Sequence, residues 1–269
     1  MNSFFNKVLR KVLRHLPFKI KYYFDRKYFK NIDEVSLVYQ YFRNKTGKSF
    51  TMIDVGAHWG TTLLPFANIG WQVYAFEPDK KNRVKLIENT KALYNLEIDE
   101  RAVLDKDGLV LSFYDSDLST GISGLSNFHP SHREAYTVET ITLSKYIKDS
   151  SIEKVDFLKI DTEGFDLFVL QGYNWENEKM HPKVIVCEYD ENKTRHNNYT
   201  VNDMIELLLS KNYEVVISSW YPLENYGSGH QWKEFLFTKN KKALHENLSW
   251  GNLIAYKNVK LDDIRSYFS

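Results

Sequence analysis

The chain has 269 residues, of which 43% are apolar and 15% aromatic, so it can bury a sizeable core, and a disordered, collagen-like or disulfide-scaffold protein is excluded. Its 36 basic and 35 acidic side chains leave a formal charge of +1, which argues against a nucleic-acid-binding protein with a broad basic face. Because Cys187 is the only cysteine, no intramolecular disulfide can form, and a cytoplasmic location is expected.

The first 30 residues carry nine basic side chains and one acidic one, a local charge of +8 that leaves −7 for the rest of the chain. Apolar residues recur at spacings of three and four from Phe5 to Leu16, and Pro17 ends the pattern, which predicts a basic amphipathic helix. Two interpretations stay open: peripheral contact of residues 1–30 with the anionic inner membrane face, or packing of the apolar stripe on the rest of the protein. The segment is too often interrupted by Lys and Arg for a signal peptide.

From residue 49, short apolar runs alternate with helical stretches, which is typical of a mostly parallel sheet with helices on both faces. Seven strands are predicted, at 49–56, 71–77, 96–103, 155–161, 183–190, 213–221 and 232–239. The last two are close enough in sequence for an antiparallel hairpin. We therefore predict an α/β, Rossmann-like fold with three parts, which are a basic helical arm (1–48), the sheet domain (49–240) and a C-terminal helical extension (241–269).

A glycine turn between the first strand and its helix is the sharpest local feature, DVGAHWG (54–60), with Glu77 at the end of the next strand. Glycines let the backbone approach a ligand at a strand's carboxyl end, and an acid on the neighbouring strand can accept hydrogen bonds from ribose hydroxyls. The dinucleotide fingerprint requires glycine where this chain has His58. The turn thus favours a nucleoside ligand without phosphates, such as S-adenosylmethionine.

Four segments resemble the FkbM-type methyltransferases, which are S-adenosylmethionine-dependent enzymes associated mainly with O-methylation in glycan and natural-product pathways. They are IDVGAHWGTT, VYAFEPD, ERAVLDKDG and, most distinctively, VDFLKIDTEGFDLFVLQG (155–172). The resemblance runs from about Met52 to Tyr189. It implies the class I methyltransferase fold, a seven-stranded mostly parallel sheet with an antiparallel last strand, and it leaves the acceptor molecule unspecified.

The resemblance also implies roles for individual residues. The implied cofactor-binding residues are Asp54, Gly56, Ala57, Gly60, Glu77, Arg101, Ala102 and Asp161. The glycine turn would contact the methionine end of the cofactor, Glu77 the ribose, and Arg101 with Ala102 the adenine. The family often has Asn where His58 stands, so His58 either has a role peculiar to this protein or replaces Asn with the same polar contact.

Four residues are candidates for catalysis, namely Asp161, Glu163, Glu188 and His58. A hydroxyl acceptor needs a base within reach or a divalent metal on its oxygen. Paired carboxylates can hold Mg²⁺, but the spacing Asp-x-Glu is too short to specify a metal site, so a metal stays open. The alternative is that Asp161 binds only the cofactor's ammonium group, Glu163 caps the next helix and Glu188 ends a strand.

Two loops are candidates for binding the acceptor. The aromatic loop WYPLENYGSGHQW (220–232) joins the last two strands, and within it Tyr221, Tyr226 and His230 are expected to contact substrate. A long Gly/Ser/His-rich segment that contains His129, TGISGLSNFHPSHREAY (120–136), is predicted to be a lid. The alternative is that the aromatics belong to the core and the histidines are solvated.

We therefore expect transfer of methyl from S-adenosylmethionine to a hydroxyl of a saccharide or glycan-linked metabolite. One alternative is a non-catalytic scaffold in a glycan-assembly complex, which the intact cofactor motifs disfavour. Another is a nucleotide-dependent dehydrogenase, which His58 disfavours because it replaces the required glycine.

Overall fold

A computed structural model describes residues 16–43, 45, 49–116, 123–127, 130–222, 230–238 and 250–259 of the chain. Within these ranges the strands are β1 (Thr51–Val55), β2 (Gln72–Phe76), β3 (Leu96–Asp99), β4 (Ala102–Val103), β5 (Val110–Ser116), β6 (His132–Ile141), β7 (Phe157–Ile160), β8 (Val184–Asp190), β9 (Glu214–Trp220), β10 (Trp232–Phe237) and β11 (Trp250–Tyr256). The helices are α1 (Phe18–Phe24), α2 (Glu34–Phe42), α3 (Leu64–Asn68), α4 (Lys80–Thr90), α5 (Leu143–Asp149), α6 (Asp166–Gln171), α7 (Glu191–His196) and α8 (Val201–Ser210). The α/β class is confirmed.

The main sheet has eight strands within the described ranges, in the order β10-β9-β11-β8-β7-β1-β2-β3. β1 pairs in parallel with β2 and β7, β2 with β3, and β7 with β8. Because parallel strands end at the same edge, the residues that follow β1, β2, β7 and β8 converge there, where open α/β sheets bind ligands. The sheet is mixed, and the predicted number of seven strands is wrong.

The antiparallel strand inside the sheet is not the predicted one. β9 and β10 do form an antiparallel hairpin, but β10 lies at the sheet edge, and β11 is inserted between β8 and β9, antiparallel to both. β11 belongs to segment 241–269, for which helices are predicted, so that prediction is wrong for residues 250–256. Leu253 and Ile254 are buried in apolar layers on opposite faces. A strand buried on both faces reads as a continuous apolar run, which periodicity cannot distinguish from a buried helix.

Apolar layers cover both faces of the sheet. Ile53 packs into one layer and its neighbour Met52 into the other, as alternation along β1 requires. α8 covers the first face with a stripe at spacings of three and four, Val201, Met204, Ile205 and Leu208. α2 covers the second face with Leu37, Val38 and Phe42. The later part of the predicted arm therefore packs on the sheet.

The helix predicted from Phe5 to Leu16 lies outside the described residues, apart from Leu16 itself. None of the helices in the described ranges combines the length and the apolar character needed to cross a bilayer.

A second, three-stranded sheet with the order β4-β6-β5 lies next to the main one. β6 begins inside the Gly/Ser/His-rich segment 120–136, and His132, at the start of the strand, is 4% exposed. Gly124 exchanges two backbone hydrogen bonds with Tyr114 of β5, at 2.8 and 3.0 Å. The described part of segment 120–136 therefore belongs to this smaller sheet or pairs with it, and a role of the segment as a lid stays a prediction.

Candidate functional site

A cleft of about 290 Å³ opens at the carboxyl ends of β1, β2 and β7. Small-molecule sites usually occupy about 300–1,000 Å³, so the volume of the cleft is just below the lower limit of that range. Its lining combines apolar side chains with carboxylates. The lining residues are Val55, Gly56, Ala57, His58, Thr61, Thr62, Phe76, Glu77, Pro78, Asn82, Ala102, Val103, Phe113, Ser123, Gly124, Leu125, Lys159, Asp161, Thr162, Glu163 and Phe165.

The glycine turn after β1 brings the backbone into this cleft. Gly56 has a φ of +78°, and a Cβ at this position would lie 1.8 Å from the carbonyl oxygen of Asp161. Only glycine therefore fits where the turn crosses the end of β7. The N–H groups of Gly56 and Ala57 donate to the carbonyl oxygen of Phe76 at 2.9 and 3.0 Å, which ties the turn to β2.

His58 follows in the left-handed conformation, with a φ of +50°. Asn, Asp and His adopt this conformation more readily than other L-residues, which is a physical reason for His at a position where the resemblance implies Asn. The ring stacks on Trp59 with centroids 4.6 Å apart. Burial lowers the pKa of His58 and outweighs the attraction of Asp161, so the imidazole is neutral at pH 7.

Glu77 joins the two turns that border the cleft. Its Oε2 accepts the N–H of His58 at 2.6 Å, and its Oε1 accepts the N–H of Asp79 at 2.9 Å. The residue is 5% exposed, and burial raises its pKa to about 7. Since each carboxylate oxygen has two lone pairs, Glu77 can also accept hydrogen bonds from ribose hydroxyls.

A buried ammonium group lies beneath the glycine turn. Nζ of Lys159 donates to the carbonyl oxygen of Gly56 at 2.8 Å and lies 3.3 Å from carboxylate oxygens of both Asp54 and Asp161. Burial alone would lower the pKa of Lys159, but the two carboxylates raise it above its ordinary value. Asp54 is fully buried and also accepts from the Thr62 hydroxyl at 2.9 Å, so it supports the floor of the cleft from behind.

A second group of acidic side chains meets at the ends of β7 and β8. One oxygen from each of Asp161, Glu163 and Glu188 lies within 4.8 Å of the other two. We call these three residues the carboxylate cluster. The ammonium of Lys193, on α7, lies 2.5 Å from Glu163, 3.5 Å from Glu188 and 3.6 Å from Asp190. The chain itself therefore supplies a cation to the cluster.

Burial dominates the acidity of these groups. It raises the pKa of Glu163 to about 7 and that of Glu188 to about 8, although Lys193 favours their charged forms. Asp166, which is 1% exposed at the start of α6, has a pKa of about 8 because of burial and the charges of Glu188 and Asp161. A carboxyl group with a pKa near 7 is suited to accept a proton at neutral pH.

Aromatic rings continue the same edge beyond β8. Trp220 ends β9 and Trp250 begins β11, with ring centroids 5.4 Å apart. The ring of His230 lies 6.3 Å from Trp220 and 5.0 Å from Trp250. Burial and the ammonium of Lys193 lower the pKa of His230, so its imidazole is neutral at pH 7. Tyr221, next to Trp220, is 49% exposed.

Most of the predicted cofactor residues line the cleft: Gly56, Ala57, Glu77, Ala102 and Asp161. Gly60 lies behind it, and an added Cβ there would lie 2.7 Å from Leu86 of α4. Arg101 is not in the lining, because its guanidinium turns away and pairs with Asp99 at 2.5 Å.

The candidate catalytic residues come together in part. His58, Asp161 and Glu163 line the cleft, and Glu188 joins the latter two in the carboxylate cluster. Of the candidate acceptor residues, Tyr221 and His230 lie beside Trp220 and Trp250. We call these four residues the aromatic edge. Tyr226 and His129 lie outside the described residues, so their contacts stay predictions.

Two residues of the site are missing from the sequence-based candidates, Lys193 and Asp166. Lys193 lies three residues after Asp190 on a helix that begins at the end of a buried strand, and this spacing places both on one face. Asp166 is the third acid in the six residues after β7. The spacing of Asp190 and Lys193 and the third acid after β7 are both visible in the sequence, but neither feature shows that the side chain is buried.

The cleft fits S-adenosylmethionine. Val103, Phe113 and Leu125 offer apolar surface for a nucleobase, and Glu77 can bind ribose hydroxyls. The carboxylate of Asp161 can bind an ammonium group, whereas a pyrophosphate would meet three carboxylates in the described lining, Glu77, Asp161 and Glu163. The carboxylate cluster supplies oxygen ligands suited to Mg²⁺, but Lys193 already compensates part of its charge, and a metal stays a hypothesis.

The family model that matches the chain describes a methyltransferase, which agrees with this chemistry. A profile of the methyltransferase FkbM domain matches residues 54–215, and a sequence search of curated proteins finds no match. Similar solved structures include a putative methyltransferase from Streptococcus mutans in complex with SAH (10% identity, TM-score 0.45, covering 84% of this chain and 99% of that chain). Another is the magnesium protoporphyrin IX methyltransferase from Synechocystis PCC 6803 with bound SAM (10% identity, TM-score 0.41, 84% and 78%). The profile matches more than half of the residues of this chain. The chain therefore belongs to the FkbM family of S-adenosylmethionine-dependent methyltransferases.

Proposed function

We propose that the chain transfers the methyl group of S-adenosylmethionine to a hydroxyl group of a saccharide or a glycan-linked metabolite. The observation that carries this proposal is the carboxylate cluster, which lies at the cofactor cleft and contains a carboxyl group, that of Glu163, with a pKa of about 7. A hydroxyl group is a weak nucleophile while it is protonated, so its methylation profits from a base of this strength.

The residues of the cleft align the reactants. S-adenosylmethionine, when bound, supplies an electrophilic methyl group on a sulfonium. Glu77 holds the ribose hydroxyls and Asp161 the ammonium group, while the glycine turn at Gly56 lets the backbone approach the same ligand. Alignment of two reactants can lower a barrier by about 7–11 kcal/mol, so positioning is the larger part of the task.

Glu163 is the residue that we assign as the general base. Its carboxyl group lines the cleft and is held by the ammonium of Lys193 at 2.5 Å. It would accept the proton of the acceptor hydroxyl as the oxygen–methyl bond forms and the methyl–sulfur bond breaks, with S-adenosylhomocysteine as the leaving group. Glu188 lies beside Glu163 in the carboxylate cluster, and burial raises its pKa, so it can take up a proton and donate a hydrogen bond to a neighbouring acceptor oxygen.

The aromatic edge supports a saccharide as the acceptor. Trp250 and Tyr221 offer ring faces of the kind that pack against a pyranose, and His230 is a neutral polar group beside them. Trp220 is only 6% exposed and belongs to the core, as the alternative interpretation of these aromatics expects. The strand that carries Trp250 and the strand that Tyr221 follows lie two and three strand spacings from β7, about 4.8 Å each, so an acceptor that also contacts these rings has to be an extended molecule.

The test uses S-adenosylmethionine with an isotopically labelled methyl group and a panel of saccharides and glycan extracts. We expect one labelled methyl ether in a saccharide product by mass spectrometry. Glu163→Gln should abolish transfer and keep the affinity for S-adenosylhomocysteine, while the exposed control Glu176→Gln keeps both. Label on nitrogen atoms, or full transfer by Glu163→Gln, would contradict the proposal. No binding of S-adenosylhomocysteine by the native chain would instead favour the scaffold.

A second variant tests the acceptor side. His230→Ala should reduce transfer to the saccharide and leave the affinity for S-adenosylhomocysteine unchanged, because His230 lies beyond β8. His196→Ala is the matched control, since His196 is exposed at the end of α7. The reverse pattern, a loss of cofactor affinity with normal acceptor use, would refute this placement.

A further inference from the structure

Residues 16–30 form a surface that is both basic and apolar, which we call the arm surface. Neither α1 nor the π-helical turn that follows it, Asp25–Phe29, contains a buried residue. The segment holds five basic side chains and one acid, a local charge of +4. Its exposed large apolar side chains are Leu16, Ile20, Tyr23 and Tyr28, which are 37–55% exposed.

The two faces of α1 differ. Phe18 and Tyr22, four residues apart, pack against the apolar layer of the sheet. Lys19, Ile20 and Tyr23 are exposed. The helix is therefore attached to the protein on one side and presents apolar and basic side chains to the surroundings on the other.

Aromatic rings and ammonium groups are interleaved on the exposed side. Nζ of Lys27 donates a hydrogen bond to the hydroxyl of Tyr23 at 2.7 Å. The same nitrogen lies 5.2 Å from the ring centroid of Tyr23 and 5.7 Å from that of Tyr28. Tyrosines beside lysines are typical of membrane interfaces, where the ring lies among the headgroups and the ammonium reaches the lipid phosphates.

The arm surface adjoins the acceptor end of the sheet. The guanidinium carbon of Arg26 lies 5.5 Å from the ring centroid of Trp232. The backbone N–H of Trp232 donates to the carbonyl oxygen of Lys30 at 2.5 Å. Trp232 is paired with Trp220 across the β9–β10 hairpin. A flat ligand on the arm surface would thus lie next to the aromatic edge described above.

We propose that the arm surface binds an anionic lipid bilayer. The positive charge favours an anionic partner, and the exposed Ile20, Tyr23 and Tyr28 favour a bilayer over a soluble polyanion, because they gain from burial in the headgroup region. Binding to lipid is measured without methyl transfer, so this proposal stands or falls separately from the proposed reaction.

The experiment is co-sedimentation of the full chain with phosphatidylcholine vesicles, with and without phosphatidylglycerol. We expect binding to vesicles that contain phosphatidylglycerol and much weaker binding to phosphatidylcholine alone. Added salt should weaken the binding, since charges at a surface are screened. No sedimentation with the anionic vesicles would overturn the proposal, as would tight binding of RNA without binding to vesicles.

The charges of the arm surface are tested by the combined variant Lys19→Gln, Lys27→Gln and Lys30→Gln. The vesicle affinity should fall at least about tenfold, because each basic residue near an anionic surface contributes to binding. All three side chains are exposed, so the fold is retained, which circular dichroism checks. An unchanged affinity would overturn the proposal.

A matched charge variant changes three exposed lysines elsewhere, Lys91→Gln, Lys106→Gln and Lys148→Gln, and should keep the vesicle affinity. The apolar contribution is tested by Ile20→Ser, which should weaken binding. The control is Ile87→Ser, which should not, since Ile87 lies on α4 and is 53% exposed against 44% for Ile20. Equal losses in the variant and its control would show that binding is not located at the arm surface.

Discussion

The ammonium nitrogen of Lys193 lies 2.5 Å from Oε2 of Glu163, and the backbone around this pair is shaped for the contact. Glu163 has a φ of +56°, which costs a non-glycine residue about 1–3 kcal/mol and persists only where surrounding contacts enforce it. The next residue, Gly164, has a φ of +97°, and a Cβ there would lie 2.7 Å from Cβ of Lys193. Lys193 is therefore a positioning residue for the carboxylate that we assign as the base.

Replacing this ammonium should affect both stability and pH dependence. Lys193→Met leaves Glu163 and Glu188 without their buried cation, which should destabilise the protein by about 3–5 kcal/mol in denaturant unfolding. The pKa of the remaining carboxyl groups should rise, so the acid limb of the pH–rate profile should move to higher pH. Lys193→Arg should restore the limb, and the exposed control Lys148→Met should change neither property. If the acid limb of the Lys193→Met profile stays at the native pH, the role of Lys193 is structural only.

Asp166 should make stability fall as pH rises. Its pKa is raised from 3.8 to about 8 in the folded protein, so the native state favours the protonated form. This contribution is fully present below about pH 4 and is lost as pH rises through about 8. Asp166→Asn should therefore be more stable than the native chain at about pH 8, by at least about 1 kcal/mol, with little difference at about pH 4.

Unfolding by denaturant at both pH values checks this prediction. The control is Asp149→Asn, because Asp149 is exposed and a hydrogen bond from Lys145 lowers its pKa, so its replacement should give no gain at the higher pH. An equal gain for Asp166→Asn at both pH values would show that the effect is not one of titration.

Gly56 and Gly70 both have a positive φ, but only Gly70 has room for a Cβ. Alanine at these two positions therefore distinguishes the cost of the left-handed backbone from the cost of a steric clash. Gly56 and Gly70 have φ of +78° and +89°, but an added Cβ meets the carbonyl oxygen of Asp161 at 1.8 Å in the first case and nothing within 4 Å in the second. Gly70→Ala should cost about 1–2 kcal/mol from the left-handed backbone alone. Gly56→Ala should cost more and also abolish binding of S-adenosylhomocysteine, measured by calorimetry. Similar losses for both variants would mean that the turn at Gly56 is not a tight crossing.

Glu77 should bind the cofactor as well as join the two turns. Glu77→Gln replaces an oxygen that accepts a backbone N–H with an amide that cannot, and it removes a charged acceptor for the ribose. Affinity for S-adenosylhomocysteine should fall by about 1.5–3 kcal/mol in calorimetry. Glu100→Gln, at an exposed carboxyl group outside the cleft, is the control and should bind normally. An unchanged affinity for Glu77→Gln would remove Glu77 from the cofactor site.

The cofactor half of the site follows from local sequence. Gly56 and Glu77 end two consecutive parallel strands, and such strands are neighbours in most sheets, so their convergence can be predicted without coordinates. Arg101 shows the limit of this reasoning. It follows the next strand, yet its side chain turns back to Asp99, because a charge pair two residues away is closer than the cleft.

The amino-acid sequence by itself determined the α/β class, the family and the turns that face the donor, because these depend on periodicity and on contacts between successive elements. Tertiary structure alone decided that β11 is inserted between β8 and β9, since a strand buried on both faces carries no period. It also decided that Lys193 and Asp166 belong to the site. Their role depends on burial and on distances between residues of different elements, and neither quantity is encoded in the local spacing of residue types.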